Sequence, residues 1–317
     1  MSNDYVYDLV SVIIPTYRRF NKLARSIKSV LDQTYNNLEI LVVNDNDPDD
    51  EYTVALKAML NSFKSDKIFL IEQDKHTNGA VARNLGIKIA RGEYIAFLDD
   101  DDYWYKNKLE VQVKVLKRLD KSYGGVTCKN VVFRDGKLVK VKVNYKDGYV
   151  YKSILNRRIE VSTVTLLLRH ESLDRVGGFN PTLRRHQEVQ LLTFFTSRFK
   201  IKLVKEYLVT VDVSDNQNRP NSTDLIQIKQ DFYNSVIPVI EQLSKRERKI
   251  ILIMNNFEIA GIIFKYESKL GGMIKGLIIF KSLRALFFSS EIIYKKIVSK
   301  ILCIILRGEL ERGYLKE

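Results

Sequence analysis

Residues 9–119 repeat one pattern: a short apolar run, a polar stretch, then a segment with apolar residues at helical spacing. The runs are LVSVIIPTY (9–17), LEILVVND (38–45), KIFLIEQ (67–73) and EYIAFLD (93–99). They are close to continuously apolar, which is the mark of strands buried on both faces. Helices are expected over 19–33, 48–62, 79–92 and 107–119. Leu23, Ile27, Val30 and Leu31 form the inner face of the first. Pro48 and acidic residues open the second, and Gly92 closes the third. Strand–helix alternation of this kind calls for a parallel sheet with helices on both faces. Ligands of such sheets bind beyond the carboxyl ends of the strands. The segments PTYRR, NDNDPDD, QDKHTNG and DDDDYW therefore converge on one crevice.

The middle of the chain is less regular. Residues 124–151 turn at Asp135-Gly136 and Asp147-Gly148, which predicts hairpins. STVTLLLRH (162–170) reads as a strand, and a helix begins near Glu188. IKLVKEYLVTVDV (201–213) is a strand pair or one long strand, followed by the polar loop SDNQNRPNSTD. From about residue 223 the chain turns helical.

With 317 residues, 45% of them apolar, the chain holds one large domain, or one domain plus an appendage. The net charge of +14 points to a polyanionic partner, with nucleic acid, anionic lipid and nucleotide phosphates all open. Cys128 and Cys303 are far apart and no CxxC occurs, so neither a disulfide framework nor a zinc site is implied. The opening MSNDYVYDLV lacks the regions of a signal peptide. No run approaches the ~18 apolar residues of a spanning helix. A cytoplasmic protein is expected. Residues 261–307 hold seven lysines and two arginines against two glutamates, net +7, with apolar and basic residues interleaved at helical spacing. This is the pattern of helices lying in a membrane interface, here the inner face of the cell membrane. A helical subdomain packed on the core with a basic outer face is the alternative. The expected division is 1–222 for the α/β unit and 223–317 for the helical region.

Asp99 to Asp102 form four consecutive carboxylates directly after a buried strand and before Trp104 and a helix. Such a run is either a solvated loop or a divalent-cation site with hard oxygen ligands. The position at a strand end favours the cation. Mg²⁺ or Mn²⁺ held by one or two carboxylates usually bridges to substrate phosphates. Neither GxGxxG nor GxxxxGK[ST] is present, which excludes a standard dinucleotide site and a P-loop.

VSVIIPTYRR, LEILVVNDND, NGAVARNLGIKIARGEYIAFLDDDD, YWYKNKLEVQ and RRHQEVQLL, in this order, resemble the motif series of family 2 glycosyltransferases. The resemblance covers about residues 9–220 and none of the C-terminal third. It implies a GT-A fold: a Rossmann-like, mostly parallel sheet flanked by helices, here with a helical C-terminal extension. It also implies inverting transfer from a nucleotide-sugar donor. By position, Thr16 or Tyr17 meets the nucleobase, and Tyr17 is able to stack on it. Asp45 accepts from a base N–H. Asn44 stands where the family usually has a first aspartate, and Asn46-Asp47 replace its usual Gly-Ser. Arg83, early on a helix that starts at the crevice, suits a ribose-phosphate group. Asp99, Asp100 and Asp101 align with the family's DxD element. Asp101 is the expected metal ligand, Asp99 or Asp100 holds the ribose hydroxyls, and Asp102 is structural.

An inverting transfer needs a carboxylate to take the acceptor's proton on the sugar face opposite the leaving diphosphate. The resemblance places it at Gln187-Glu188, where the family has aspartate. Glu188 is the only carboxylate between Asp174 and Glu206. His186 beside it is available to the acceptor or a phosphate. Arg219, in the loop that resembles the family's diphosphate-covering loop, is expected to stabilise the leaving group. The implied activity is metal-dependent transfer from a UDP-sugar to a glycan hydroxyl, on a polyprenyl-linked acceptor at an anionic membrane surface, in cell-surface polysaccharide synthesis. Two rivals are weaker. A sugar-nucleotide pyrophosphorylase needs a glycine-rich basic loop where PTYRRF stands. A nucleic-acid-binding protein needs its charge interleaved with aromatics on one face, whereas half of the excess charge sits in the C-terminal segment.

Overall fold

The computed structural model of the protein describes residues 5–141, 146–214 and 222–266. Its first half follows the expected alternation: β1 (Val6–Thr16), α1 (Phe20–Leu31), β2 (Leu38–Asn44), α2 (Glu51–Ser62), β3 (Ile68–Glu72), α3 (Gly79–Ile89) and β4 (Gly92–Phe97). Then come β5 (Tyr103–Trp104), α4 (Lys108–Lys117), β6 (Tyr123–Arg134), β7 (Lys137–Val141) and α5 (Tyr151–Leu155). A 3₁₀ turn at Thr163–Thr165 leads into β8 (Leu166–Arg169) and α6 (His170–Asp174). The described chain closes with α7 (Gln187–Arg198), β9 (Lys200–Asp212), α8 (Ser222–Ser235), α9 (Ile237–Ile240) and α10 (Lys245–Tyr266).

These strands form one sheet in the order β3-β2-β1-β4-β8-β6-β9-β5, with β7 paired to β6. The β3-β2-β1-β4 half is parallel. β8 then runs antiparallel between β4 and β6, while β9 is parallel to β6. Successive residues of β1 face opposite ways. Val10, Val12 and Ile14 pack with Leu23, Ile27 and Leu56 on one side of the sheet. Ile13 packs with Ala80, Ala82, Leu191 and Phe195 on the other. A strand covered on both sides favours apolar residues at nearly every position, hence the run, interrupted only by Ser11, whose hydroxyl donates to Glu39. Each such side chain contributes about 1.5–3 kcal/mol on burial.

The alignment of strand ends places the site. Thr16 pairs with Asn44, and Asn44 with Glu72, so the chain leaves β1, β2 and β3 on one level. Leu98 donates its N–H to Ile13 O, which brings the aspartate run alongside.

Of three local expectations, one is met and two are adjusted. The Asp135-Gly136 hairpin forms between β6 and β7. Both turn residues have positive φ, 50° and 72°, as a two-residue loop matching strand twist requires. Asp147-Gly148 is not a second hairpin: Gly148 bridges to Ile201 of β9. Gly92 does not close α3; it opens β4. A Cβ there would lie 2.5 Å from Leu9 O, so the glycine is explained by close strand approach.

The C-terminal helices do not stand apart from the rest. Phe232, Val236, Val239, Ile240, Leu243 and Ile251 pack with Leu155, flanked by Tyr151, Val189 and Phe194. Among the described residues no helix is long and apolar enough to cross a membrane. Most of the basic segment 261–307 lies outside the described residues.

Lys108 is fully buried. Its ammonium lies 3.8 Å from the Trp104 ring centroid and 3.5 Å from Leu166 O, and burial pushes its pKa down to about 8. Lys108 therefore holds its proton in the unfolded state and not in the folded state between about pH 8 and 10.5, so its own contribution to stability rises with pH there, opposed above about pH 9 by the neighbouring Cys128 thiol, which burial pushes up to about 12. A shift of this size corresponds to about 3 kcal/mol, and the ring contact offsets about 2 kcal/mol of the burial cost. Lys108→Met should stay within on the order of 1 kcal/mol of the parent at pH 7, and thermal melts should show no rise between pH 8 and 10.5. A rise that persists in the variant would place the titrating group elsewhere.

Candidate active site

The aspartate run leaves β4 as a turn, with Asp102 N–H donating to Asp99 O. The four carboxylates divide at once. Asp99 is the most exposed of them, at 38% of its side chain. It takes a hydrogen bond of 2.5 Å from Arg83 Nη2. Asp100 is buried and accepts from Thr16 Oγ1 at 2.9 Å. Asp101 pairs with Arg19 Nη1 at 2.9 Å, and Arg25 Nη2 bonds its carbonyl at 2.7 Å. Asp102 is buried beneath them and accepts from Asp212 N–H at 2.9 Å, while Ser26 Oγ donates to its carbonyl. Asp102 therefore ties the run to the end of β9 and to α1, the structural role expected of it.

Repulsion within the run is visible in its protonation. Burial, and then the charge of Asp101, push Asp100 up to about 7. Burial, and then Asp99, push Asp101 up to about 6, against the pull of Arg19 and Lys22. Asp102 is raised well above the usual carboxylate range by burial and by Asp99. Nearby, Asp212 is held at about 2, because bonds from Ser214, Arg25 and Lys22 outweigh its own burial. The buried members of the run thus hold their protons more tightly than ordinary carboxylates do. The run's oxygens are hard donors, suited to Mg²⁺ or Mn²⁺. Among the described residues no group of three or more His, Cys, Asp or Glu is arranged to hold a metal ion, so protein side chains alone do not complete a cation site here.

Beyond β2, Asn44 is buried and spans Thr53 Oγ1 and both the N–H and Nδ2 of Asn46. Its amide supplies a donor and an acceptor to shape this loop, which an aspartate cannot do. Asp45 Oδ1 accepts from Gln73 Nε2, Thr77 N–H and Thr77 Oγ1 at 2.7, 2.8 and 3.0 Å. Its Oδ2 lies 3.2 Å from His76 Nδ1. His76 stacks on Tyr17 with centroids 3.8 Å apart and planes 18° from parallel. Tyr17 and Asp45, both expected at the nucleobase, thus meet through His76.

Arg83 sits one turn into α3, whose N-cap Asn78 accepts from Ala80 and Val81 N–H. Its Nη1 reaches Gly79 O, and its guanidinium lies 5.6 Å from the Phe179 ring centroid. Its Nε is buried and meets no acceptor among the described residues. That orphan donor beside Asp99 suits an anionic or hydroxyl-bearing ligand.

α7 begins at His186, which has φ 61°, and Glu188 lies in its first turn. Burial, and then Lys229, push the His186 imidazole down to about 4, so it is neutral at pH 7. Gln187 is buried and donates to Leu183 O. Glu188 lines the same cavity, of about 440 Å³, as Arg83 and Asp99. The structure thus brings Thr16, Tyr17, Asp45, Arg83, Asp99, Asp100, Asp101 and Glu188 to one end of the sheet. Arg219 lies outside the described residues.

Sequence reasoning missed Arg19, His76, Gln73, Thr77 and the Arg157–Glu258–Lys229 group on the cavity wall. Arg19, Gln73, His76 and Thr77 lie in segments already assigned to the crevice. No motif marks the other three.

The sequence pattern of Glycosyl transferase family 2 matches residues 11–184. An uncharacterized glycosyltransferase of Rickettsia felis is 33% identical over 222 residues, 69% of this chain and 35% of that one. The chain thus spans about a third of that relative's length. The Escherichia coli UDP-Glc:alpha-D-GlcNAc-diphosphoundecaprenol beta-1,3-glucosyltransferase WfaP is 37% identical over 110 residues, 35% of this chain and 42% of that one. The crystal structure of S. aureus TarS 1–349 in complex with UDP-GlcNAc superposes with a TM-score of 0.60 at 16% identity, over 83% of this chain and 74% of that one. That likeness shows the GT-A type of fold. Motif order, strand-end geometry and the match over residues 11–184 agree: this chain belongs to glycosyl transferase family 2.

Proposed function

We propose that the protein transfers one sugar, with inversion, from a UDP-sugar to a hydroxyl of a lipid-linked glycan in cell-surface polysaccharide synthesis. The observation that carries this reading is the cavity shared by Glu188 and the Arg83–Asp99 pair. It sets a carboxylate from the start of α7 against the donor-binding strand ends. Tyr17, His76 and Asp45 hold the base. Asp99 or Asp100 takes the ribose hydroxyls, and Arg83 binds the ribose-phosphate portion. Asp101 holds Mn²⁺ or Mg²⁺, which when bound offsets charge on the diphosphate. Arg219 is assigned to the same leaving group.

Glu188 accepts the proton of the acceptor hydroxyl as its oxygen bonds to the anomeric carbon. The bond from that carbon to the diphosphate oxygen breaks, and UDP leaves with the electron pair. Attack from the face opposite the leaving group inverts the anomeric centre. The WfaP likeness supports a UDP-sugar donor and a diphospholipid-borne acceptor, and the TarS complex supports a UDP donor. The basic segment 261–307 and the lipid-borne acceptor support a place on the inner membrane face, with an anionic lipid surface rather than nucleic acid as the charged partner. The boundary near residue 222 marks where the donor-binding unit gives way to the C-terminal helices, which pack against it.

A panel of nucleotide sugars tests the reading. With Mn²⁺, at least one UDP-sugar should release UDP and raise the melting temperature, and chelation should remove both effects. Failure of every nucleotide sugar to bind or turn over would sink the assignment.

A further inference from the structure

The cavity beside Glu188 is closed on its far side by residues the transfer reaction has not used. Lys229 of α8 and Glu258 of α10 line it, together with Arg157 just after α5. Arg157 forks onto Glu258, Nε to Oε1 at 2.9 Å and Nη2 to Oε2 at 3.2 Å, while Lys229 Nζ reaches Oε2 at 2.9 Å. These two cations hold Glu258 at about 2 against its own burial, so the group is ionised at neutral pH. An ammonium carries three donors and Glu258 takes one of Lys229's.

Two backbone outliers converge on the same wall. Arg157 has φ 60° and His186 φ 61°, a left-handed region that bulky residues seldom adopt. Both side chains reach Phe232 of α8: the Arg157 guanidinium lies 5.1 Å from its ring centroid, and the His186 ring meets it edge-on at 5.4 Å. Backbone of this kind is retained where the surroundings hold it, commonly at ligand sites. α8 and α10 are thus fastened to the rim of the catalytic cavity.

The lining also shows what kind of ligand fits. Arg83, Arg157 and Lys229 face Asp99, Glu160, Glu188 and Glu258, and His186 is neutral at pH 7. The cations do not outnumber the carboxylates, so the space does not select an anion. Both donors and acceptors line it, and the hydroxyls of a sugar ring use both. A volume of about 440 Å³ lies within the usual range for small-ligand sites, roughly 300–1,000 Å³.

We propose that this cavity is the acceptor subsite, that it takes an uncharged sugar ring, and that Lys229 and Glu258 of the C-terminal helices, with Arg157, determine which ring it accepts. This rests on the sugar-transferase reading. The C-terminal region is then part of the specificity apparatus as well as a candidate membrane contact.

The test follows UDP release from UDP-glucose and UDP-N-acetylglucosamine with Mn²⁺, alone and with a panel of free hexoses, N-acetylhexosamines and their 1-phosphates. Full-length parent, Lys229→Gln and Glu258→Gln proteins are compared. The parent should be stimulated by at least one uncharged sugar, and no better by its 1-phosphate. Both variants should keep sugar-independent UDP release and UDP affinity. Their half-saturating sugar concentration should rise about tenfold, the loss of one charge-assisted hydrogen bond. Glu258→Gln leaves two cations unpaired, so Lys229→Gln is the variant that decides if the other folds poorly. Unchanged sugar dependence, a parallel fall in sugar-independent release, no stimulation of the parent by any uncharged sugar, or selective stimulation by 1-phosphates would each overturn the proposal. A parent that releases no UDP at all would instead refute the transferase reading itself.

Discussion

Glu188→Gln should lower sugar transfer by about 10²–10⁴-fold, the range for losing a general base, while UDP-sugar affinity is unchanged. The amide keeps the size and the position at the start of α7 and loses the ability to accept a proton. Helix stability should fall only by the few tenths of a kcal/mol, up to about 1, that an acidic first-turn residue contributes. Product formation measured beside isothermal titration of UDP separates the two effects. Near-normal transfer would move the base to another carboxylate on the cavity wall, where Asp99, Glu160 and Glu258 are the others that line it.

The second large effect is expected at Asp101. Asp101→Asn removes the charge that pairs with Arg19 and is assigned to the cation. Donor turnover with Mn²⁺ should fall by on the order of 10²–10³, since an offset of several kcal/mol on the leaving group is lost. Mn²⁺ should no longer add to the thermal protection given by UDP. Protein stability without ligands should change little. The variant relieves repulsion within the run while leaving Arg19 with Asp100, 3.9 Å away, as its nearest remaining carboxylate in the run. Full activity, or undiminished protection by Mn²⁺ with UDP, would remove Asp101 as the ligand. The phenotype of Asp102→Ala should differ: the side chain anchors β9 by accepting from Asp212 N–H, so loss there is expected in stability before activity.

Much of the fold was readable in the sequence because burial leaves a periodic mark. The nearly continuous apolar run in β1 follows from packing on both faces. The Asp135-Gly136 turn follows from the two positive φ angles that it supplies. Gly92 was misread for a physical reason: glycine ends helices and also permits close strand approach, and only the distance to Leu9 O distinguishes the two. The second half of the sheet was less legible. β8 inserts antiparallel between β4 and β6, a pairing between residues some seventy apart in the chain that no local pattern encodes.

By itself the sequence determined the layered α/β frame and the convergence of four polar segments at the strand ends, and its resemblance to the family's motif series implied Glu188 as the candidate base. Tertiary structure alone supplied the partners of the four aspartates, which come from Thr16, Arg19, Arg83 and Asp212. It also placed His76 on Tyr17, and it set Lys229 and Glu258 of the C-terminal helices against the catalytic cavity. Periodicity reports how deeply a residue is buried, whereas the charge and reach of a site depend on which distant residues the closed chain brings within a few ångströms.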